Sequence, residues 1–132
     1  MLQRNKGLTL LGRKVRRPTK KLEAFPNKHR GRNYEVILET QEFTALCPVT
    51  GQPDFGTIAI SYVPDRLIVE SKSLKLYLWS FRQEGHFHEE VVNRILDDLV
   101  RAVHPRKMQV RGEFRSRGGI TITVIADYPD KQ

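Results

Sequence analysis

One cysteine occurs in 132 residues. Without a second thiol no internal disulfide can form, which excludes the stapled frameworks of small secreted domains. The same scarcity excludes a Cys-rich structural zinc site, and the H-x-H pair His86 and His88 lies far from Cys47 in sequence. No apolar run approaches the ~20 residues of a membrane span. The opening stretch MLQRNKGLTLLGRKVRR lacks a long apolar core ahead of a small-residue cleavage site, so it does not read as a secretory signal. A reducing cytoplasm is the expected compartment. No G-x-G-x-x-G follows a candidate strand, which excludes a Rossmann domain. Acids are scarce at the start. Residues 1 to 33 hold eleven Lys or Arg against Glu23 alone, a balance of +10, and the remaining residues balance at −2. The overall +8 therefore belongs to an N-terminal tail and not to the body. Such a tail suits RNA or an acidic neighbour. It has little aromatic interleaving for stacking on bases, which favours a solvated arm or one that packs on another subunit.

What is present is enough for one modest core. Hydrophobic residues make up 39% and charged residues 29%, as in ordinary globular domains. We divide the chain into a basic tail over 1–33 and a single domain over 34–132. NYEVILETQEFTAL predicts a strand with Val36 and Leu38 on one face. GTIAISYV alternates as a second strand, ended by Pro64 and Asp65. ESKSLKLYLWSFRQEG repeats Leu74, Tyr77, Leu78 and Phe81 at helical spacing, and Ser71 or Ser73 can serve as its N-cap. FHEEVVNRILDDLVRAVHP places Val91, Val92, Ile95, Leu96, Leu99 and Val103 on one stripe of a second helix that Pro105 stops. MQVRGEFRS and ITITVIA form a last hairpin across Gly118-Gly119, a dipeptide suited to a tight turn. The order β-β-α-α-β-β predicts an α+β fold, a four-stranded antiparallel sheet with both helices on one face. Its two edges have no obvious cover, so pairing with further copies of the chain is expected.

The segment ALCPVTGQPDFG holds the cysteine and, seven residues on, Asp54. Extended, seven residues span up to ~25 Å, so the two meet only if the segment doubles back. Pro48, Gly51 and Pro53 favour that reversal. A thiolate adds to electrophilic carbon, and a carboxylic acid can protonate the atom that gains charge. The pairing suits addition of sulfur to a carbonyl or a nitrile. A lone cysteine is equally at home as a small buried hydrophobe, and no neighbouring histidine supports a protease-like pair. His86 and His104 read as surface polarity.

From Glu70 to Phe81 the sequence resembles the signature of the NADPH-dependent 7-cyano-7-deazaguanine reductases, the nitrile reductases of queuosine biosynthesis in tRNA. CPVTGQPDFGTIAISYVPD, FHEE and RGGI match the same family in the same order. The likeness runs over roughly residues 34 to 128 and is strongest to the short, single-module branch. It implies the tunnelling fold, whose sheets join edge to edge into rings, with substrate sites at subunit boundaries; here a decamer of two stacked pentamers is expected. It implies that Cys47 is the nucleophile that adds to the nitrile and that Asp54 is the general acid. It assigns Val69, Glu70, Ser71, His88 and Glu89 to binding of 7-cyano-7-deazaguanine, and Lys72, Lys75 and Arg117 to NADPH, two per turnover. No metal, no membrane and no obligatory nucleic acid are implied.

These roles suit the residue types. A guanine-like edge offers two adjacent N–H donors, and the carboxylate of Glu89 can accept both. Glu89 also suits a helix start by the macrodipole alone. Lys72 and Lys75 share a helix face in a first turn whose free N–H groups favour anions, a seat for phosphates, although lysines on such a face are commonly just solvated. Phe87 can stack on a ring or belong to the core. Two other functions fit less well: the related archaeal amidinotransferase, which adds ammonia to the same nitrile in tRNA and generally lacks the ESKSLKLY stretch, and a non-catalytic RNA-binding oligomer. A pterin-forming member of the same fold would need metal-ligand sets absent here.

Overall fold

The computed structural model describes residues 8–9, 17–115 and 118–130. Strand β1 is Ala24–Pro26, β2 is Val36–Leu46, β3 is Pro53–Val63 and β4 is Leu67–Val69. Helix α1, Ser71–Trp79, runs into a 3₁₀ turn over Ser80–Gln83. Helix α2, His88–Val103, is followed by β5, Lys107–Phe114, and β6, Ile122–Tyr128. The four long strands form one antiparallel sheet in the order β2-β3-β5-β6. Ile58, Ile60, Tyr62, Met108, Val110 and Phe114 turn one face of it toward Leu74, Tyr77, Phe81 and the α2 stripe, and these residues make the core. Both helices therefore lie on that face, as the alternating strands and the periodic helices predict. The other face stays open, with Ile37, Phe55 and Ile125 each more than half exposed. Strands β2 and β6 are edges, paired on one side only among the described residues. No described helix is long and apolar enough to cross a membrane.

Three local features differ from the sequence reading. Strands β1 and β4 form a small second sheet, Ala24↔Val69 to Pro26↔Leu67, inside and against the segment read as tail. Glu23 and Asn27 beside β1 are buried, and Lys20 reaches Ser80 and Glu84. Residues flanking β1 thus pack on the chain's own body. The N-cap of α1 is Glu70 and neither serine. Its two carboxylate oxygens accept from the N–H groups of Lys72 at 2.9 Å and Ser73 at 2.7 Å. Ser73 is spent elsewhere, its hydroxyl accepting from Glu23 N–H at 3.0 Å and donating to the Glu70 carbonyl. The β5–β6 connection is also longer than a two-residue turn. Phe114 pairs with Ile122, so seven residues join the strands. Gly118 and Gly119 still both take positive φ, 75° and 83°, where a side chain would be strained.

Candidate active site

Strands β2 and β3 are joined by the loop that carries Cys47. The last ladder pair is Leu46↔Pro53 and the one before it Ala45↔Asp54. Cys47 N–H donates to the Gln52 carbonyl, and Gly51 N–H to the Cys47 carbonyl, each at 2.8 Å. Gly51 takes φ 72°, the left-handed conformation that lets so short a loop reverse. The doubling-back inferred from Pro48, Gly51 and Pro53 is this hairpin. Cys47 stands two residues beyond the partner of Asp54, a diagonal cross-strand relation of about 7–8 Å in ordinary sheets.

A bulge decides which face they share. Pairing shifts by one residue between Thr40 and Phe43. Before it, Val36 and Leu38 face the core; after it, Phe43 and Ala45 do. A slip of one residue reverses every later side chain. Asp54 lies on β3 in phase with Ile58 and Ile60 and so faces the helices in any case. Without the bulge Ala45, and with it the Cys47 end of β2, would turn to the open face; with it, they join the face of Asp54.

A distant segment braces the loop. Leu46 N–H donates to the Glu84 carbonyl at 2.9 Å, and His86 N–H to the Leu46 carbonyl at 3.1 Å. Gly85 passes so close that a Cβ there would lie 3.2 Å from the Pro48 Cα. The His86 ring is held between Glu84 and Glu90, at 2.9 Å and 3.1 Å, and Glu84 also binds Lys20 at 2.6 Å. His86 therefore ties the brace together and is not mere surface polarity. Burial works to raise the Glu84 carboxyl, but hydrogen bonds from Lys20 and His86 outweigh it and hold it below the usual range.

Helix α2 begins on the far side of this brace, with His88 as its first residue and the acids Glu89 and Glu90 in the favoured first turn. His88 Nε2 lies 3.4 Å from Asp54 Oδ2, and both side chains are about 15% exposed. That nitrogen is buried and makes no well-formed hydrogen bond among the described residues, so the contact is a close approach and not a bond. Cys47, Asp54 and His88 thus converge, although His88 is 34 residues from Asp54 in sequence.

The thiol is tuned by its own loop. The Thr50 hydroxyl, then the backbone N–H groups of Thr50 and Val49, hydrogen-bond to sulfur and hold Cys47 below the ordinary thiol range; slight burial and the Asp54 charge oppose them. Thr50 escaped the sequence reading, although a hydroxyl three residues after the cysteine in a proline- and glycine-rich turn was a usable signal. Because hydrogen bonds to sulfur favour the thiolate, Thr50→Val raises the thiol pKa. Its alkylation rate by iodoacetamide will then rise with pH along a curve displaced to higher pH than that of the unaltered protein. An undisplaced curve would show that Thr50 does not tune the sulfur.

The remaining candidates gather elsewhere. Val69 ends β4, buried, its N–H donating to Tyr62 Oη at 3.1 Å, and burial pushes the Tyr62 phenol up. Glu70, Ser71, Lys72 and Lys75 follow at the start of α1. The nine residues of α1, ~13 Å at 1.5 Å each, separate this group from the brace at Glu84–His86. Ser71 and Lys75 line a cleft of about 250 Å³ between α1 and the β2 edge, with Phe43, Leu74, Trp79 and Arg82. The free N–H groups expected to seat phosphates are not free at Lys72 and Ser73, where the Glu70 carboxylate already occupies them. An anion there would meet the lysine side chains and not these two N–H groups. Glu89 is exposed and Phe87 is 59% exposed, so Phe87 is no core residue. Arg117 lies outside the described residues. Among the described residues no group of three or more His, Cys, Asp or Glu is placed to hold a metal ion.

A family model described as QueF-like protein matches residues 53–132. The NADPH-dependent 7-cyano-7-deazaguanine reductase of Syntrophus aciditrophicus is 60% identical over 121 residues, 92% of this chain and 86% of that protein. The reductase of the same name from Thermomicrobium roseum is 60% identical over 111 residues, 84% of this chain and 87% of the other. A crystal structure of the archaeosine synthase QueF-Like in the apo form superposes with a TM-score of 0.69, covering 74% of this chain and 96% of that one. At 22% identity it speaks for the fold alone.

Proposed function

The chain belongs to the QueF-like protein family, and on that premise we propose that it reduces the nitrile of 7-cyano-7-deazaguanine to an aminomethyl group through a covalent thioimide on Cys47. The observation that carries the reading is the convergence of Cys47, Asp54 and His88 from two parts of the fold. The Cys47 thiolate attacks the nitrile carbon, and one C≡N π bond becomes a C–S bond. Asp54, acting as general acid, delivers a proton to the nitrogen. When bound, NADPH supplies one hydride to each of two reductions. In the first, sulfur leaves carbon and Cys47 recovers its thiolate; in the second, the imine becomes the amine. Two hydrides and the matching protons balance the change from nitrile to amine.

Lys72 and Lys75 are the cations for the cofactor phosphates, through their side chains, with Arg117 from the β5–β6 loop. His88 and Glu89 hold the deazaguanine. Glu70 can join them without giving up its cap, since each carboxylate oxygen accepts more than one hydrogen bond. The group at the start of α1 and the group around Cys47 complete one site when a neighbouring subunit brings them together. The unpaired edges β2 and β6 fit a ring of such subunits, and sedimentation should return the mass of ten chains. A single-chain mass with full activity would refute the shared site.

The test is stoichiometric. With the nitrile and NADPH, nicotinamide absorbance should fall by two cofactors per nitrile consumed. Ammonia-dependent conversion of modified tRNA without cofactor loss would instead establish the transferase reading, for which only the shared fold speaks.

A further inference from the structure

Phe114 lies on a bare patch of sheet. Its cross-strand partner is Gly56, and its neighbour on the same face of β5 is Gly112. A Cβ on Gly56 would come within 2.8 Å of the Phe114 ring and 2.6 Å of the Glu113 carbonyl oxygen; one on Gly112 would come within 2.7 Å of the ring. Real Cβ atoms do not approach so closely, so two adjacent strands both carry glycine where the ring lies. The ring is buried, 2% exposed. On it sits the imidazole of His88, centroids 4.2 Å apart and planes 5° apart. A stacked ring fixes the plane of the imidazole, and the helix start at His88 fixes its root. The result is a buried Nε2 that makes no well-formed hydrogen bond among the described residues and is held 3.4 Å from the Asp54 carboxylate. A buried polar atom left in that state needs a reason.

We infer that Phe114, lying flat in the gap left by Gly56 and Gly112, is a positioning residue that holds the His88 imidazole edge-on to Asp54. The consequence is kinetic. Flat packing opposes tilting of His88, so Asp54 and His88 keep one geometry while substrate arrives, and the carboxyl stays aimed at the hairpin mouth. A leucine at 114 fills much of the volume but offers no plane. The step it should slow is proton delivery during addition of Cys47 to the nitrile, which rests on the function proposed above.

The test uses the full chain. Phe114→Leu is expected to slow formation of the Cys47 adduct by about 10- to 100-fold, the size of loss that a misplacement of about 1 Å produces. Binding of the nitrile, measured in the Cys47→Ala background, should weaken by a smaller factor than the adduct slows, because Glu89 still holds the deazaguanine. In the unaltered protein, the His88 ring protons should show the upfield ring-current shift of a stacked imidazole, and Phe114→Leu should remove it. Gly112→Ala, whose added Cβ would meet both the Phe114 ring and Val92 Cγ2 of α2 at 2.7 Å, should slow the adduct alone and by less in the Phe114→Leu background, where only the Val92 contact is left. An adduct rate in Phe114→Leu equal to that of the unaltered protein, with the ring-current shift lost, overturns the inference. If Phe114→Leu does not fold, a folded Gly112→Ala supports it when the rate falls together with the His88 ring-current shift, and overturns it otherwise. If neither folds, an upfield shift of the His88 protons in the unaltered protein supports the stack and its absence overturns it. If the unaltered protein forms no adduct at all, the proposed function fails, and the His88 shift alone then decides the positioning.

Discussion

Cys47→Ala will yield a folded protein that binds the nitrile, forms no covalent adduct and does not turn over. The expected loss in rate is on the order of 10⁶-fold, the scale on which covalent enzymes suffer when the attacking atom is removed. Fold and function separate cleanly at this position. Cys47 is half-buried in a loop and contributes nothing to the apolar core. The two hydrogen bonds that close the loop use its backbone N–H and carbonyl, which alanine retains. The change in stability should therefore stay within about 0.5 kcal/mol, and the denaturation midpoint should hardly move. Mass spectrometry of the intact protein after incubation with the nitrile reads the outcome directly. A mass gain equal to the nitrile in Cys47→Ala would place the reacting atom elsewhere and end the proposal.

How much of this was legible in the sequence depends on how far apart the interacting residues lie. The four long strands and two helices repeat apolar residues at periods of two and 3.6 over seven or more residues, and their order fixed the sheet. Three-residue strands carry no period, so the β1–β4 pair was invisible, and its basic flanks read as tail. The bulge after Thr40 was equally silent. TQEF looks like continued strand, and the reversal of faces follows only from which residues finally reach the core. Glu70 displaced the serines as N-cap because Ser73 was already committed to Glu23 and Glu70, a contact over 50 residues that no window on the sequence contains.

The site shows the same division. The Cys47 loop is local, and its prolines and glycine announced a reversal. The partnership of Asp54 with His88 is not local. It depends on Leu46 pairing with Gly85, on the close passage of Gly85 by Pro48, and on the helix beginning at the next turn of chain. His88 entered the sequence reading through family resemblance as a substrate contact. In the structure its Nε2 also meets Asp54, a relation that no spacing in the sequence could state.

That relation makes Asp54→Asn the most discriminating substitution, because two of its consequences run in opposite directions. Asparagine has nearly the shape of aspartate, keeps the β3 backbone pairing with Ala45, and can donate an amide hydrogen toward His88 Nε2. The protein should fold. It has no carboxylic proton to give, so addition of Cys47 to the nitrile should slow by about 10²- to 10⁴-fold, the usual contribution of a positioned general acid. The same substitution removes a negative charge that pushes the Cys47 thiol up. Its thiolate fraction at neutral pH should hold or rise, and alkylation by iodoacetamide, which needs no proton donor, should run as fast or faster. Slower nitrile addition beside undiminished alkylation is the signature of a proton donor. If both reactions slow together, Asp54 acts by shaping the loop around the sulfur; if neither slows, the proton reaches the nitrogen from another group.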